Sequence, residues 1–78
     1  MHRPEFDIVV PLLNLVECPE CGGNSEPQWE SRRMLSDHTV EVSTVCHCWE
    51  CDYDQEIIRI FNLRGNLLKR TAQRFFFG

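Results

Sequence analysis

Two short motifs decide what this chain can fold into: Cys18-Pro-Glu-Cys21 and Cys48-Trp-Glu-Cys51, with 26 residues between them. A Cys-x2-Cys turn brings two sulfurs to one side of a tight backbone loop. The intervening stretch suffices for a β-hairpin that returns the second turn beside the first. Four thiolates can then reach one ion tetrahedrally at about 2.3 Å, the geometry of a closed structural Zn²⁺ site. Gly22 and Gly23 suit the backbone curl that follows the first pair. A fifth cysteine, Cys46, leaves a second register open, Cys46-x4-Cys51 with Cys48 spare. The symmetric pair of turns favours Cys18, Cys21, Cys48 and Cys51 as ligands, with Cys46 as the substitute for Cys48. On that choice Cys46 lies on the same strand face as Cys48. It reads as a small buried apolar side chain, or as a redox thiol or a ligand that can swap with Cys48.

The chain has 78 residues. A core of that size rarely contributes more than about 3–5 kcal/mol, so a metal or disulfides often act as staples. Five cysteines would leave one over in a purely disulfide framework. The apolar stretch from Ile8 to Val16 is short, is interrupted by Pro11 and Asn14, and follows acids rather than a basic segment, unlike a secretory signal. We therefore expect a cytoplasmic protein whose thiols stay reduced and bind metal. One domain is expected over residues 1–78, with a ribbon core at 17–63 and a basic, aromatic tail at 64–78.

Periodicity organises the rest. The segment Phe6 to Val16 is apolar at nearly every position, and a short strand is expected before Pro11. Gln28 to Leu35 is strand-compatible, with Trp29, Arg33 and Leu35 on one side. Ser36-Asp37-His38 reads as a turn. From Thr39 to Cys48 the alternation is clear, with Val40, Val42, Thr44, Cys46 and Cys48 on one face. Tyr53 to Leu63 predicts a further strand whose faces are both partly apolar. The N-terminal segment is the expected cover for the face carrying Ile58 and Ile60, and the Phe75–Phe77 tail is another. Arg64-Gly65-Asn66 is a turn, after which 67–77 suits either a returning strand or a helix capped by Asn66. The expected fold is a small metal-stabilised β protein, a zinc ribbon of three or four antiparallel strands with short terminal extensions.

Cys18-Pro-Glu-Cys21-Gly, a hairpin, and Cys48-x-x-Cys51-Asp-Tyr together resemble the C4 zinc-ribbon families of transcription. The two turns are similar to those of transcript-cleavage elongation factors. The opening Cys-Pro-x-Cys-Gly and Ser31-Arg32 resemble the ribbon of the bacterial repressor of ribonucleotide reductase genes. Cys18-Pro-Glu-Cys21, Ser31-Arg32, Ser36-Asp37 and Glu41 resemble the Ogr/Delta phage late-transcription activators. That last family closes its site with Cys-x4-Cys, which would match Cys46 and Cys51. The resemblance covers roughly residues 17–56. It implies a transcription-associated regulator that contacts RNA polymerase or another protein. A cleavage factor needs adjacent acids at the hairpin tip. This tip offers Asp37 between Ser36 and His38, so that activity does not carry over. Asp52 stands where many ribbons have Gly.

Charge divides the chain. Residues 1–30 carry one base against six acids, residues 31–58 two against six, and residues 59–78 five bases and no acid. An acidic ribbon lacks the clustered bases that a broad phosphate grip needs. Nucleic-acid contact is therefore expected only from Arg59, Arg64, Lys69, Arg70 and Arg74. Partner contact is expected from Trp49 and from Phe75, Phe76 and Phe77, aromatic groups that are costly to leave in water. No nucleophile–base pair, phosphate loop or open metal position stands out, so a non-enzymatic protein is expected. The alternative to the regulator is an adaptor or inhibitor without nucleic-acid contact, or a redox-sensing ribbon.

Overall fold

The computed structural model describes residues 8–35 and 37–75. Ser36, Phe76, Phe77 and the start of the chain, including Phe6, lie outside the described residues. Five antiparallel strands form one sheet in which sequence neighbours are spatial neighbours: β1 (Val16–Glu17), β2 (Asn24–Met34), β3 (Thr39–Cys48), β4 (Asp54–Asn62) and β5 (Leu67–Arg74). This is a small metal-ribbon architecture of five strands where three or four were expected, with β1 (Val16–Glu17) the strand that was not anticipated.

β3 runs over the alternating segment, and Val40, Val42, Thr44, Cys46 and Cys48 are all buried on one face, the front. Register carries the front face across the sheet, pairing Val40 with Phe61, Val42 with Arg59, Thr44 with Ile57 and Cys46 with Gln55. The back face carries Val45, His47, Ile58 and Ile60. β2 begins at Asn24, before the expected Gln28, and a bulge between Pro27 and Trp29 shifts its register. The bulge lets Ser25 and Pro27 sit opposite Cys48 and Cys46 while Trp29 turns to the back face opposite Val45.

Residues 67–74 form a strand. All eight lie along β4 or its end, with Ile60 opposite Lys69 and Gln55 opposite Arg74. A helix would have left that edge of β4 without partners for its main-chain groups. The turn before β5 is set by Asn62, whose side-chain oxygen accepts from the main-chain N–H of Arg64 at 2.9 Å and of Asn66 at 3.0 Å. Gly65 takes a φ of +86°, and a Cβ there would stand 2.7 Å from the Val9 carbonyl oxygen.

Two expectations about the ends are corrected. No strand precedes Pro11 among the described residues, because residues 8–15 are irregular. Arginine side chains satisfy main-chain carbonyls there instead of a neighbouring strand. Arg32 Nη1 donates to Ile8 O at 3.1 Å and Arg59 Nη1 to Pro11 O at 2.7 Å. The segment also covers the front face, not the one carrying Ile58 and Ile60: Ile8 and Val10 pack on the buried cluster of Val40, Val42 and Phe61. On the back, Phe75 meets Trp29 edge to face with centroids 5.9 Å apart. Two strands lie between β2 and β5, so a flat sheet would hold their axes about 14 Å apart. The sheet therefore curls toward its back face.

Candidate metal centre

Each cysteine pair sits on a main-chain turn closed in the same way. In the first, Gly22 N donates to Cys18 O at 2.9 Å and Cys18 N to Gly23 O at 2.7 Å. In the second, Asp52 N donates to Cys48 O at 2.8 Å and Cys48 N to Tyr53 O at 2.9 Å. Both turns need a left-handed residue at the same place. Gly22 supplies it at φ +76° and Asp52 at φ +61°. Aspartate is one of the few side-chain-bearing residues that visits this region readily, so the departure from Gly at position 52 leaves the geometry of the second turn intact.

The β2–β3 pairing brings the turns together, because Ser25 stands opposite Cys48. Gln55 reinforces the join from β4. It is buried, and its Nε2 donates to Glu17 O at 3.3 Å and to Ser25 Oγ at 3.4 Å. The sulfurs of Cys18, Cys21, Cys48 and Cys51 consequently lie within 4.8 Å of one another. Cys18 and Cys51 are 3.5 Å apart at sulfur, as are Cys21 and Cys48. A tetrahedron with legs of about 2.3 Å has edges of about 3.8 Å. The four sulfurs thus fit one metal ion of that size.

Their acidities point the same way. Burial acts to raise the Cys18 thiol, but main-chain N–H groups of Cys21 and Glu20 outweigh it and bring the pKa down to about 7. Burial, and then the neighbouring Cys21 sulfur, push Cys51 up to about 12. Four thiols this close cannot all ionise alone. A dication removes that obstacle, since a metal-bound thiol is deprotonated outright.

Cys46 lies outside the group of four. It is fully buried between Pro27 and Gln55 in register, and burial raises its pKa. That is the environment of an inert thiol, since reactive cysteines sit in partly exposed, electropositive surroundings.

The chain matches no family model, no curated protein and no solved structure. What it can do rests on its own residues.

The remaining candidates are spread over the molecule. Trp49, inside the second turn, is 62 % exposed, and its ring meets that of His47 edge to face at 4.4 Å. Arg64 is exposed at the β4–β5 turn. Lys69 projects from the back face and Arg70 and Arg74 from the front, so these bases form no single-faced patch. The Arg74 guanidinium lies 5.3 Å from the Tyr53 ring centroid. Arg59 is withdrawn from the basic surface. It is 4 % exposed, bonded to Pro11 O and 3.6 Å from Glu30, so it ties the N-terminal segment to the sheet and offers phosphate nothing. Phe75 is half-buried against Trp29.

Strand alternation alone puts His47 on the face opposite Cys46 and Cys48 and names no partner for it. The structure places its ring 2.5 Å from Asp54 Oδ1 and 3.3 Å from Asp52 Oδ1. The hydrogen bond to Asp54 raises its pKa against burial. The ring links the second cysteine turn to the start of β4. Only the hairpin register, which sets His47 opposite Asp54, could have revealed this, and no motif spacing encodes it.

Proposed function

We propose that the four-cysteine centre holds Zn²⁺ and that the protein is a non-enzymatic, transcription-associated regulator. In this reading it binds RNA polymerase or another protein, with nucleic-acid contact from Arg64, Lys69, Arg70 and Arg74. The observation that carries the metal assignment is the set of four sulfurs held by two like turns at separations suited to a 2.3 Å shell. Zinc in such a closed site contributes folding energy and leaves no open coordination position. The transcription assignment is supported by the resemblance over residues 17–56, and the nucleic-acid contact by the exposed bases at the β5 edge.

The test is metal content followed by binding. The purified protein should carry one zinc and no iron, since iron in a tetrathiolate site colours the protein. It should associate with polymerase subunits or with nucleic acid at low salt. Phosphate contacts weaken steeply as salt rises. A metal-loaded protein that binds neither would end the transcription assignment and leave the metal one standing.

The adaptor reading draws on a separate observation. Trp29 and Trp49, 46 % and 62 % exposed, line one open cleft with Val45, His47 and Asp54. Exposed tryptophans are frequent anchors of protein contacts. Binding that is indifferent to salt and lost on Trp49→Ala favours this second reading.

A further inference from the structure

The outer edge of β5 has no strand beside it among the described residues. All of its residues are exposed. Hydrogen bonding to β4 fixes which main-chain groups point outward. Phe75 N donates to Asp54 O at 3.1 Å. In an antiparallel ladder, bonded and non-bonded pairs alternate, so Gln73, Thr71 and Lys69 also turn their groups toward β4. Arg70 and Ala72 therefore aim N–H and C=O groups away from the sheet. A neighbouring strand could bond to them.

The side chains set conditions on that strand. Lys69, Arg70 and Arg74 are basic, and no acid occurs between Arg59 and the last described residue. Charged side chains on an edge discourage pairing with another copy of the same edge, and two β5 strands side by side would oppose six cations. An acidic strand meets the opposite condition, because unlike charges across a strand pair attract. The division of the bases between the faces suits a peptide strand at this edge better than a nucleic-acid backbone. A nucleic-acid backbone lying against one face would meet Arg70 and Arg74 or else Lys69. An added strand alternates its own side chains between the faces and meets all three. Leu67 and Leu68, 52 % and 55 % exposed, extend the edge with apolar side chains at the bulge where the register against β4 shifts, Leu67 standing opposite Phe61 on the front face.

We propose that β5 docks an extended acidic segment of another protein as an added antiparallel strand. Its acids would stand opposite Arg74, Arg70 and Lys69, in that order along the partner, followed by two apolar residues opposite Leu68 and Leu67. The antiparallel sense follows the rest of the sheet. This names the chemistry of the protein partner in the reading above. It rests on that reading only in taking the chain to bind a protein, and not on the partner's belonging to transcription.

The probe is a labelled eight-residue peptide with glutamate at its first, fifth and sixth positions and valine at its last two, read by fluorescence anisotropy on the zinc-loaded protein. Replacing the glutamates by glutamine should weaken binding about tenfold, which corresponds to about 1.4 kcal/mol. Ala72→Pro removes an outward N–H and no bond to β4, as edge prolines do, so it should keep the metal and lose the peptide. The double variant Lys69→Glu, Arg70→Glu should keep the fold and weaken the peptide by a similar factor or more. Equal binding of the glutamate and glutamine peptides overturns the proposal. So does undiminished binding in both the Ala72→Pro and the charge-reversed proteins. A labelled oligothymidylate that displaces the peptide and survives Ala72→Pro assigns the edge to nucleic acid instead. Metal content, measured on each variant, shows separately whether the zinc assignment has failed.

Discussion

Exchanging sulfur for oxygen at two nearby positions gives the sharpest test of the metal centre. Cys46 and Cys48 share the front face of β3, and both are fully buried. Only Cys48 joins the group of four sulfurs. In Cys46→Ser a hydroxyl enters a dry site between Pro27 and Gln55. If it finds no partner, the cost is that of an unsatisfied buried polar group, about 1–3 kcal/mol. The metal stays. In Cys48→Ser the loss falls on the metal. Apparent zinc binding in small structural sites is about 10–16 kcal/mol. An even share among four ligands is about 3 kcal/mol, or roughly 100-fold in affinity at about 1.4 kcal/mol per tenfold. The assay is zinc stoichiometry after gel filtration, followed by release to a competing chelator and thermal unfolding of the metal-loaded form. Cys46→Ser should retain one zinc with a lowered melting temperature, while Cys48→Ser should surrender it to chelator concentrations that the parent resists. The reverse pattern would refute the ligand set and establish the Cys-x4-Cys register.

Three other perturbations probe the frame around the centre. Asp52→Gly should stabilise the metal-loaded protein by about 0.5 kcal/mol in urea unfolding. Relief of a left-handed φ outweighs the chain entropy of glycine, and the exposed Asp52 carboxylate contributes little through His47; a loss of stability would show that the His47 contact dominates. Gly65→Ala should cost more than Gly22→Ala. Both have positive φ, but an added Cβ meets the Val9 carbonyl at position 65 and nothing within 4 Å at position 22, so equal urea midpoints would contradict the close approach. Arg59→Leu should cost about 1.5–3 kcal/mol, the usual range for a charged hydrogen bond, and should free the N-terminal segment. Chymotrypsin should then cut between Leu12 and Leu15 faster than in the parent, and unchanged protection would show that Arg59 does not hold that segment.

Local pattern sufficed for much of this molecule. Thr39 to Cys48 alternates so regularly that its strand limits are readable from the residues, because one face must be buried and the pleat has a period of two. The two Cys-x2-Cys motifs likewise announce two turns and a shared ion, since that chemistry is local to each turn and needs only a return path between them. Long-range pairing decided the rest. Leu67 to Arg74 carries no dominant period, and it became a strand because β4 offered an open ladder. Cys46 and Cys48 are equivalent by strand phase; the paired motifs favour Cys48, and the position of the first turn across β2 brings its sulfur to the other three. Alternation names no partner for His47, and the hairpin register sets Asp54 opposite it. Arg59 looked like a surface base in a basic tail. Its burial follows from the fold of the N-terminal segment over the front face, where Pro11 left a carbonyl without a strand partner and the guanidinium supplied the donor.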